Sequence, residues 1–199
     1  MIAIIDYGVG NLKSIYNSLK KVGIDSVVTS DESVINNADK IILPGVGAFN
    51  DAMKCLKESG LINCIKENIK SGKPTLGICL GMQLLYEKSY EDGEFEGLGV
   101  LKGEVVKLKE GVKIPHMGWN SLIKGIDHKI AENINEGEYV YYVHSYYVKC
   151  ENENEVVFYS DYSVKVPGIV AKGNIIGMQF HPEKSGDVGL KLLKNFGSI

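Results

Sequence analysis

Apolar residues in the first half of the chain follow two alternating spacings, and the alternation predicts strands joined by helices. Short runs rich in branched aliphatic residues at 2–6, 26–29, 41–43 and 75–79 have the length and composition of buried strands. Between them, residues 12–22, 48–57 and 61–69 carry helical patterning. In the first of these, Leu12, Ile15, Leu19 and Val22 recur at three- and four-residue steps, the spacing of one buried helical face. Strand and helix in repetition predict an α/β fold whose strands are mostly parallel and connected by helical crossovers. The second half changes character. Residues 104–109, 139–148, 156–160, 166–171 and 175–180 read as strands, with a turn at 172–174 between the last two. This β-rich part is expected to form antiparallel hairpins beside or extending the parallel sheet. Leu190, Leu192, Leu193 and Phe196 then mark a closing amphipathic helix over 189–196.

At 199 residues and 44% hydrophobic content the chain suits one globular domain, 1–199, large enough to bury a core without disulfide staples. The net charge of −3 comes with scattered lysines, so no basic face for nucleic acid is expected. The apolar N-terminus meets Asp6 too soon to be a signal or membrane segment, which predicts a cytoplasmic protein. Cys55, Cys64, Cys79 and Cys150 show no CxxC pairing, and no two histidines have helical zinc spacing. Neither a metal site nor a disulfide framework is indicated, and no cofactor is expected.

Candidate chemistry centres on Gly77-Ile78-Cys79-Leu80-Gly81, where a strand-like run gives way to a helical pattern. A side chain at the tip of a sharp strand-to-helix turn needs neighbours without bulk, and Gly77 and Gly81 supply that room. The turn aims Cys79 at the first free N–H groups of the next helix, which favour a thiolate. Taken alone, the same five residues also fit a small core cysteine beside packing glycines. His181-Pro182-Glu183 tilts the choice. The proline must end a strand, which places His181 at a strand end as Cys79 is, and the turn lets Glu183 fold back to orient the imidazole. His128 has solvent-like neighbours, whereas His116 and His144 sit in more apolar surroundings and are further candidates to face a pocket. An oxyanion needs donors, and the Leu80 N–H and the glycine-flanked loop Gly45-Val46-Gly47 are placed to offer them. The acidic cluster Glu91, Asp92, Glu94 and Glu96 reads as a solvated loop close behind the elbow helix.

These residues carry a resemblance. IDYGVGNLKS at 5–14, PGVGAF at 44–49, GICLGMQLL at 77–85, PHMGWN at 115–120, VHSYY at 143–147 and QFHPEKS at 179–185 span nearly the whole chain. GxCxGxQ with FHPE resembles any class I glutamine amidotransferase. The first and fourth segments resemble, more narrowly, the glutaminase subunits of imidazole glycerol phosphate synthases. The resemblance implies a flavodoxin-like α/β fold with helices on both faces of the sheet, and a triad of Cys79, His181 and Glu183 that hydrolyses glutamine through a cysteinyl thioester. It implies that Val46, Gly47 and Leu80 form the oxyanion hole and that Gly45, Gly47, Gln83, Glu91, His144, Ser145 and Tyr146 hold the substrate. It further implies a heterodimer with a (β/α)₈ cyclase subunit, met through Asn11, Met117, Trp119 and Lys184, to which ammonia is channelled. Trp119, beside Gly118 in a turn-like segment, is the kind of exposed aromatic that anchors an interface. Three alternatives stay open: a paralogous glutaminase feeding another synthase such as a sugar amidotransferase, a cysteine peptidase of flavodoxin-like fold, and a catalytically silent binding module. Residues 159–167 depart from the family pattern, which bears on the first, while Gln83 and the third acid argue against the second.

Overall fold

The computed structural model describes residues 1–109 and 111–199. The first half is the expected alternation with one helix, α2, that the pattern did not predict: β1 (Ile2–Ile5), α1 (Leu12–Lys21), β2 (Ser26–Thr29), α2 (Glu32–Asn37), β3 (Lys40–Leu43), α3 (Phe49–Glu58), α4 (Ile62–Lys70), β4 (Thr75–Ile78) and the short α5 (Leu80–Leu84). After it come β5 (Lys88–Ser89), β6 (Phe95–Glu96), β7 (Gly103–Lys107), β8 (His116–Ser121), β9 (Ile123–Lys124), β10 (Tyr139–His144) and β11 (Tyr146–Cys150). β12 (Val156–Asp161), β13 (Lys165–Lys172), β14 (Ile175–Met178) and α6 (Gly186–Ser198) complete the chain.

The main sheet runs β2-β1-β3-β4-β14-β13-β12-β9, parallel from β2 through β14 and antiparallel beyond. Because β1 alternates, it feeds two cores at once: Ala3 and Ile5 face one layer, Ile2 and Ile4 the other. Ile35, Phe49, Ala52, Leu56 and Ile65 from α2, α3 and α4 close the first layer. Ile15 and Leu19 of α1 and Leu192, Leu193 and Phe196 of α6 close the second. The crossover direction reverses at β1, which has β2 on one side and β3 on the other. In such sheets ligands bind off the carboxyl ends of the strands near that reversal. β4, flanked by β3 and β14, delivers Cys79 to this edge. Among the described residues no helix is long and apolar enough to cross a membrane.

Several expectations need correction. The run 139–148 is two strands, because the chain changes sheets at Ser145: β10 pairs with β8, and β11 with β7. β14 joins the parallel sheet beside β4 as well as forming the hairpin with β13, and it stops at Met178 rather than running to the histidine. Residues 116–121 are a strand, so Trp119 sits in an extended segment and not in a turn. α6 starts three residues before the expected helix, at Gly186, whose φ of +58° a glycine adopts at little cost.

The tightest packing in the fold lies where β4 becomes α5. A Cβ on Gly81 would collide with the Leu43 carbonyl oxygen of β3, and one on Gly77 would lie 2.7 Å from the Met82 Cα. Gly81→Ala is therefore expected to lower the free energy of unfolding by at least about 2 kcal/mol. Gly23→Asn, at a helix end with φ +76° and open space around it, should cost under about 0.5 kcal/mol. Urea denaturation of the two variants checks the contrast, and a Gly81→Ala protein as stable as wild type would refute the packing argument.

Candidate active site

The elbow forms because the backbone has no easier way from β4 into α5. Cys79 has φ 52° and ψ −112°, a region that a residue with a Cβ enters only under strain of about 1–3 kcal/mol. Hydrogen bonds on both sides hold it there. Its N–H donates to the Met178 carbonyl at 2.7 Å, and its own carbonyl accepts from Met82 at 3.0 Å and Gln83 at 3.3 Å. The neighbouring loop 44–47 closes against the elbow: a Cβ on Gly45 would lie 2.5 Å from the Gly81 nitrogen, and the buried Tyr7 hydroxyl donates to the Pro44 carbonyl at 2.8 Å.

Above the elbow lies a cavity of about 280 Å³, large enough for one amino acid. Val46, Gly47, Cys79, Leu80, Gln83, Glu91, His144, Ser145, Tyr146 and His181 all line it, so ten expected site residues meet in one place. Two do not line it. Gly45 lies beneath, packed on α5, and Glu183 stands behind His181. Pro115 and Val143 complete the wall, and the Val143 carbonyl is 3.9 Å from the Cys79 sulfur. A larger cavity of about 700 Å³ beside β7, β11, β12 and β13 includes Cys150 but no histidine.

His181 comes from the opposite side of the elbow. After β14, its N–H donates to the Tyr141 carbonyl at 3.0 Å, and the Ser185 hydroxyl, which donates to the His181 carbonyl at 2.7 Å, accepts from the Tyr141 N–H at 3.0 Å. The 3₁₀ turn Pro182–Lys184 then folds Glu183 back, with Oε1 2.9 Å from His181 Nδ1. Because a carboxylate only accepts, Nδ1 carries the proton and Nε2 is free for chemistry. Burial opposes a charge on this ring, but the Cys79 sulfur and the Glu183 carboxylate outweigh it and raise the His181 pKa above the ordinary value. Glu183 Oε2 is buried without a hydrogen-bond partner among the described residues, so the carboxylate depends on the imidazolium for compensation.

The remaining polar groups are tied together. Gln83 Nε2 donates to the Tyr146 carbonyl at 2.9 Å and to Gln179 Oε1 at 3.1 Å. Gln179 Nε2 in turn points at the Cys79 sulfur from 3.8 Å. Gln179 is fully buried, yet sequence reasoning passed over it, since a single amide in a strand-like run has no chemical signature. The one signal was a polar residue at an otherwise apolar position. Glu91 Oε2 accepts from the Phe49 N–H at the start of α3, at 2.8 Å, while burial raises its pKa. The acidic loop thus sends one carboxylate into the site.

Met117 and Trp119 lie outside the cavity, on the outward face of β8, and are 60% and 55% exposed. The Trp119 ring meets Tyr141 edge-on at 6.0 Å and reaches within 4.0 Å of where a Gly186 Cβ would stand, next to the turn that carries the exposed Lys184. Asn11 starts α1, which touches the same turn.

The model of the glutamine amidotransferase class-I family matches residues 3–198. The imidazole glycerol phosphate synthase subunit HisH of Caldanaerobacter subterraneus subsp. tengcongensis is 52% identical across all of this chain and 98% of its own length. The proteins of the same name from Bacillus cereus and Bacillus thuringiensis are 54% and 55% identical, each over all of this chain and 95% of the relative. Among solved structures, a glutamine amidotransferase superposes with a TM-score of 0.77 over the whole of both chains at 19% identity. The structure of PurLQS from Thermotoga maritima gives 0.75 at 22% identity, covering 98% of this chain and 96% of that one. At such identities the structures speak for the fold, and the matched family model and the relatives speak for descent: this chain belongs to the class I glutamine amidotransferases.

Proposed function

We propose that the chain is the glutaminase subunit of an imidazole glycerol phosphate synthase, acting in histidine biosynthesis in the cytoplasm as one domain over 1–199. The observation that supports this best is the meeting of a strained Cys79 elbow with the buried His181–Glu183 pair in an amino-acid-sized cavity. The Cys79 sulfur attacks the side-chain carboxamide carbon of glutamine, and the carbonyl oxygen becomes an oxyanion. The Leu80 N–H, first after the nucleophile, and the loop at Val46 and Gly47 are the donors for that oxygen. Collapse breaks the C–N bond, and the His181 imidazolium gives its Nε2 proton to the departing amine, releasing ammonia. Now neutral, Nε2 takes a proton from water as the hydroxyl attacks the thioester, giving glutamate and restoring Cys79. Glu183 holds the ring and its tautomer throughout. No cofactor is needed. Gln83, Glu91, His144, Ser145 and Tyr146, with Gly47 in the facing loop, line the pocket for the rest of the substrate, and Gly45 shapes that loop from beneath.

Free ammonia would be protonated in water at neutral pH, so its production is best coupled to its use. In this reading a cyclase subunit of (β/α)₈ form docks on Asn11, Met117, Trp119 and Lys184. It combines the ammonia with a phosphorylated ribulosyl aminoimidazole carboxamide nucleotide to give imidazole glycerol phosphate and an aminoimidazole carboxamide ribotide. The large exposed Met117 and Trp119 on one strand face support such an interface.

Glutamate release by the chain mixed with the cyclase and its nucleotide is expected to fall roughly a thousandfold or more in Cys79→Ala. The wild-type chain alone should be slow and strongly stimulated by the partner. Equal turnover with and without it would contradict the pairing. A second expectation concerns pH. A raised folded-state pKa means that His181 contributes stability fully below its unfolded value of about 6.5 and loses that contribution as pH climbs through the folded value. Glu183→Gln should bring the His181 titration down, as read by NMR. The stability gap between wild type and this variant should be largest near pH 6 and shrink toward about pH 10. A gap that widens with pH would overturn the assignment of charge.

A further inference from the structure

Three side chains outside the bond-making steps, Asn120, His116 and His144, form a single directed row of hydrogen bonds that ends on the wall of the Cys79 cavity. Its direction is fixed from both ends. At the outer end the backbone sets the Asn120 amide: Oδ1 accepts from the Ser121 N–H at 2.8 Å, and Nδ2 donates to the Asp161 carbonyl at 3.1 Å. The other Nδ2 hydrogen faces His116 Nε2 at 3.4 Å, so Nε2 is the bare nitrogen and Nδ1 carries the proton. At the inner end, His144 Nδ1 lies 2.9 Å from the Tyr146 carbonyl oxygen. A carbonyl only accepts, so His144 also carries its proton on Nδ1 and leaves Nε2 bare. Between the two rings, His116 Nδ1 and His144 Nε2 are 3.0 Å apart, and the two assignments agree: the first donates, the second accepts.

A second proton on either ring would set two N–H groups face to face. Burial works in the same direction, holding the His116 pKa down at about 4. At His144, burial and then the neighbouring His116 hold it down at about 3. The His116 ring is also stacked between Tyr162 at 3.8 Å and Tyr142 at 4.6 Å.

What the row reaches gives it a use. The Tyr146 carbonyl accepts from His144 and also from Gln83, whose second amide hydrogen goes to Gln179. With both hydrogens committed, Gln83 can offer a ligand only its acceptor, Oε1. We propose that Asn120, His116 and His144 are positioning residues that fix the Tyr146 carbonyl as a shared acceptor and so lock Gln83 to face the N–H donors of glutamine. The proposal rests on the glutaminase reading above. Without the row, the Tyr146 peptide loses one of its two tethers, and the Gln83 amide is free to turn over and present donors where an acceptor belongs.

Two substitutions at His116 separate hydrogen bonding from packing. In His116→Asn the amide nitrogen falls near the place of Nδ1, keeping the donor to His144 but losing the ring. His116→Phe keeps the stack and loses the donor. In complex with the cyclase, His116→Phe is expected to raise the KM for glutamine about tenfold with kcat nearly unchanged, the size of effect of one lost hydrogen bond, and His116→Asn to recover most of that loss. The reverse order, with phenylalanine at wild-type KM and asparagine impaired, would make His116 a packing residue and overturn the proposal. A second readout needs no activity. The chain has four histidines, and ¹⁵N spectra of the full chain should show His116 and His144 as neutral Nδ1–H tautomers between about pH 6 and pH 8, with the His144 Nε2 signal shifted by His116→Phe. An Nε2–H tautomer at either ring, or a titration in that range, would overturn it. Absence of glutamine turnover in the wild-type complex would instead sink the glutaminase reading, and the spectra would still decide the row.

Discussion

The backbone crossing between β3 and the start of α5 is the constraint on which the rest of the site depends. Gly81 must pass so close to the Leu43 carbonyl that no side chain fits, and Gly45 must lie as close to Gly81. Those approaches leave Cys79 in its left-handed conformation, where its sulfur stands clear of the sheet edge. The strain is local, and the supports are spread over three strands: β14 takes the Cys79 N–H, β3 takes the Gly81 contact, and Tyr7 beyond β1 secures the Pro44 carbonyl. A cysteine fixed in this way needs no reorganisation to act as the proposed nucleophile.

His181, the proposed base, reaches Cys79 by a different construction. Past Gln179, whose N–H still donates to the Gly168 carbonyl, the segment leaves the ladder, and single polar bonds with Tyr141 and Ser185 fix it. Among the described residues the buried Glu183 carboxylate has one partner, His181, and that partner faces the cysteine. In a water-poor setting the carboxylate and the sulfur together favour the protonated ring over the neutral one. The cavity also inherits its far wall from the switch of sheets at Ser145, since the strand that leaves β8 for β7 turns His144, Ser145 and Tyr146 toward Cys79.

Much of this was legible in the sequence wherever local pattern and tertiary role coincide. β2 lies where its aliphatic run predicted, and the Gly77, Cys79 and Gly81 spacing matches a turn whose steric reason the structure displays. The failures have a common cause in partners that are distant along the chain. Residues 139–148 alternate as one strand would, and nothing local says that the pairing strand changes at Ser145. β8 contains Gly118 between two exposed hydrophobics and reads as a turn, because its extended form depends on pairing with β10. α2, six residues long, has a single buried residue, Ile35, and its start is set by the Asp31 cap rather than by periodicity. Gln179 and His116 gain their meaning from bonds to residues tens of positions away, which no window of sequence contains.

The most direct test of the account is covalent labelling by a glutamine analogue that carries a chloromethyl ketone in place of the carboxamide, followed by peptide mapping of the four cysteines. The account predicts stoichiometric modification of Cys79 alone, slowed by added glutamine, because only that thiol combines an elbow, a base and an amino-acid-sized cavity. Modification of Cys55, Cys64 or Cys150 instead, or labelling of Cys79 that glutamine does not protect against, would contradict it.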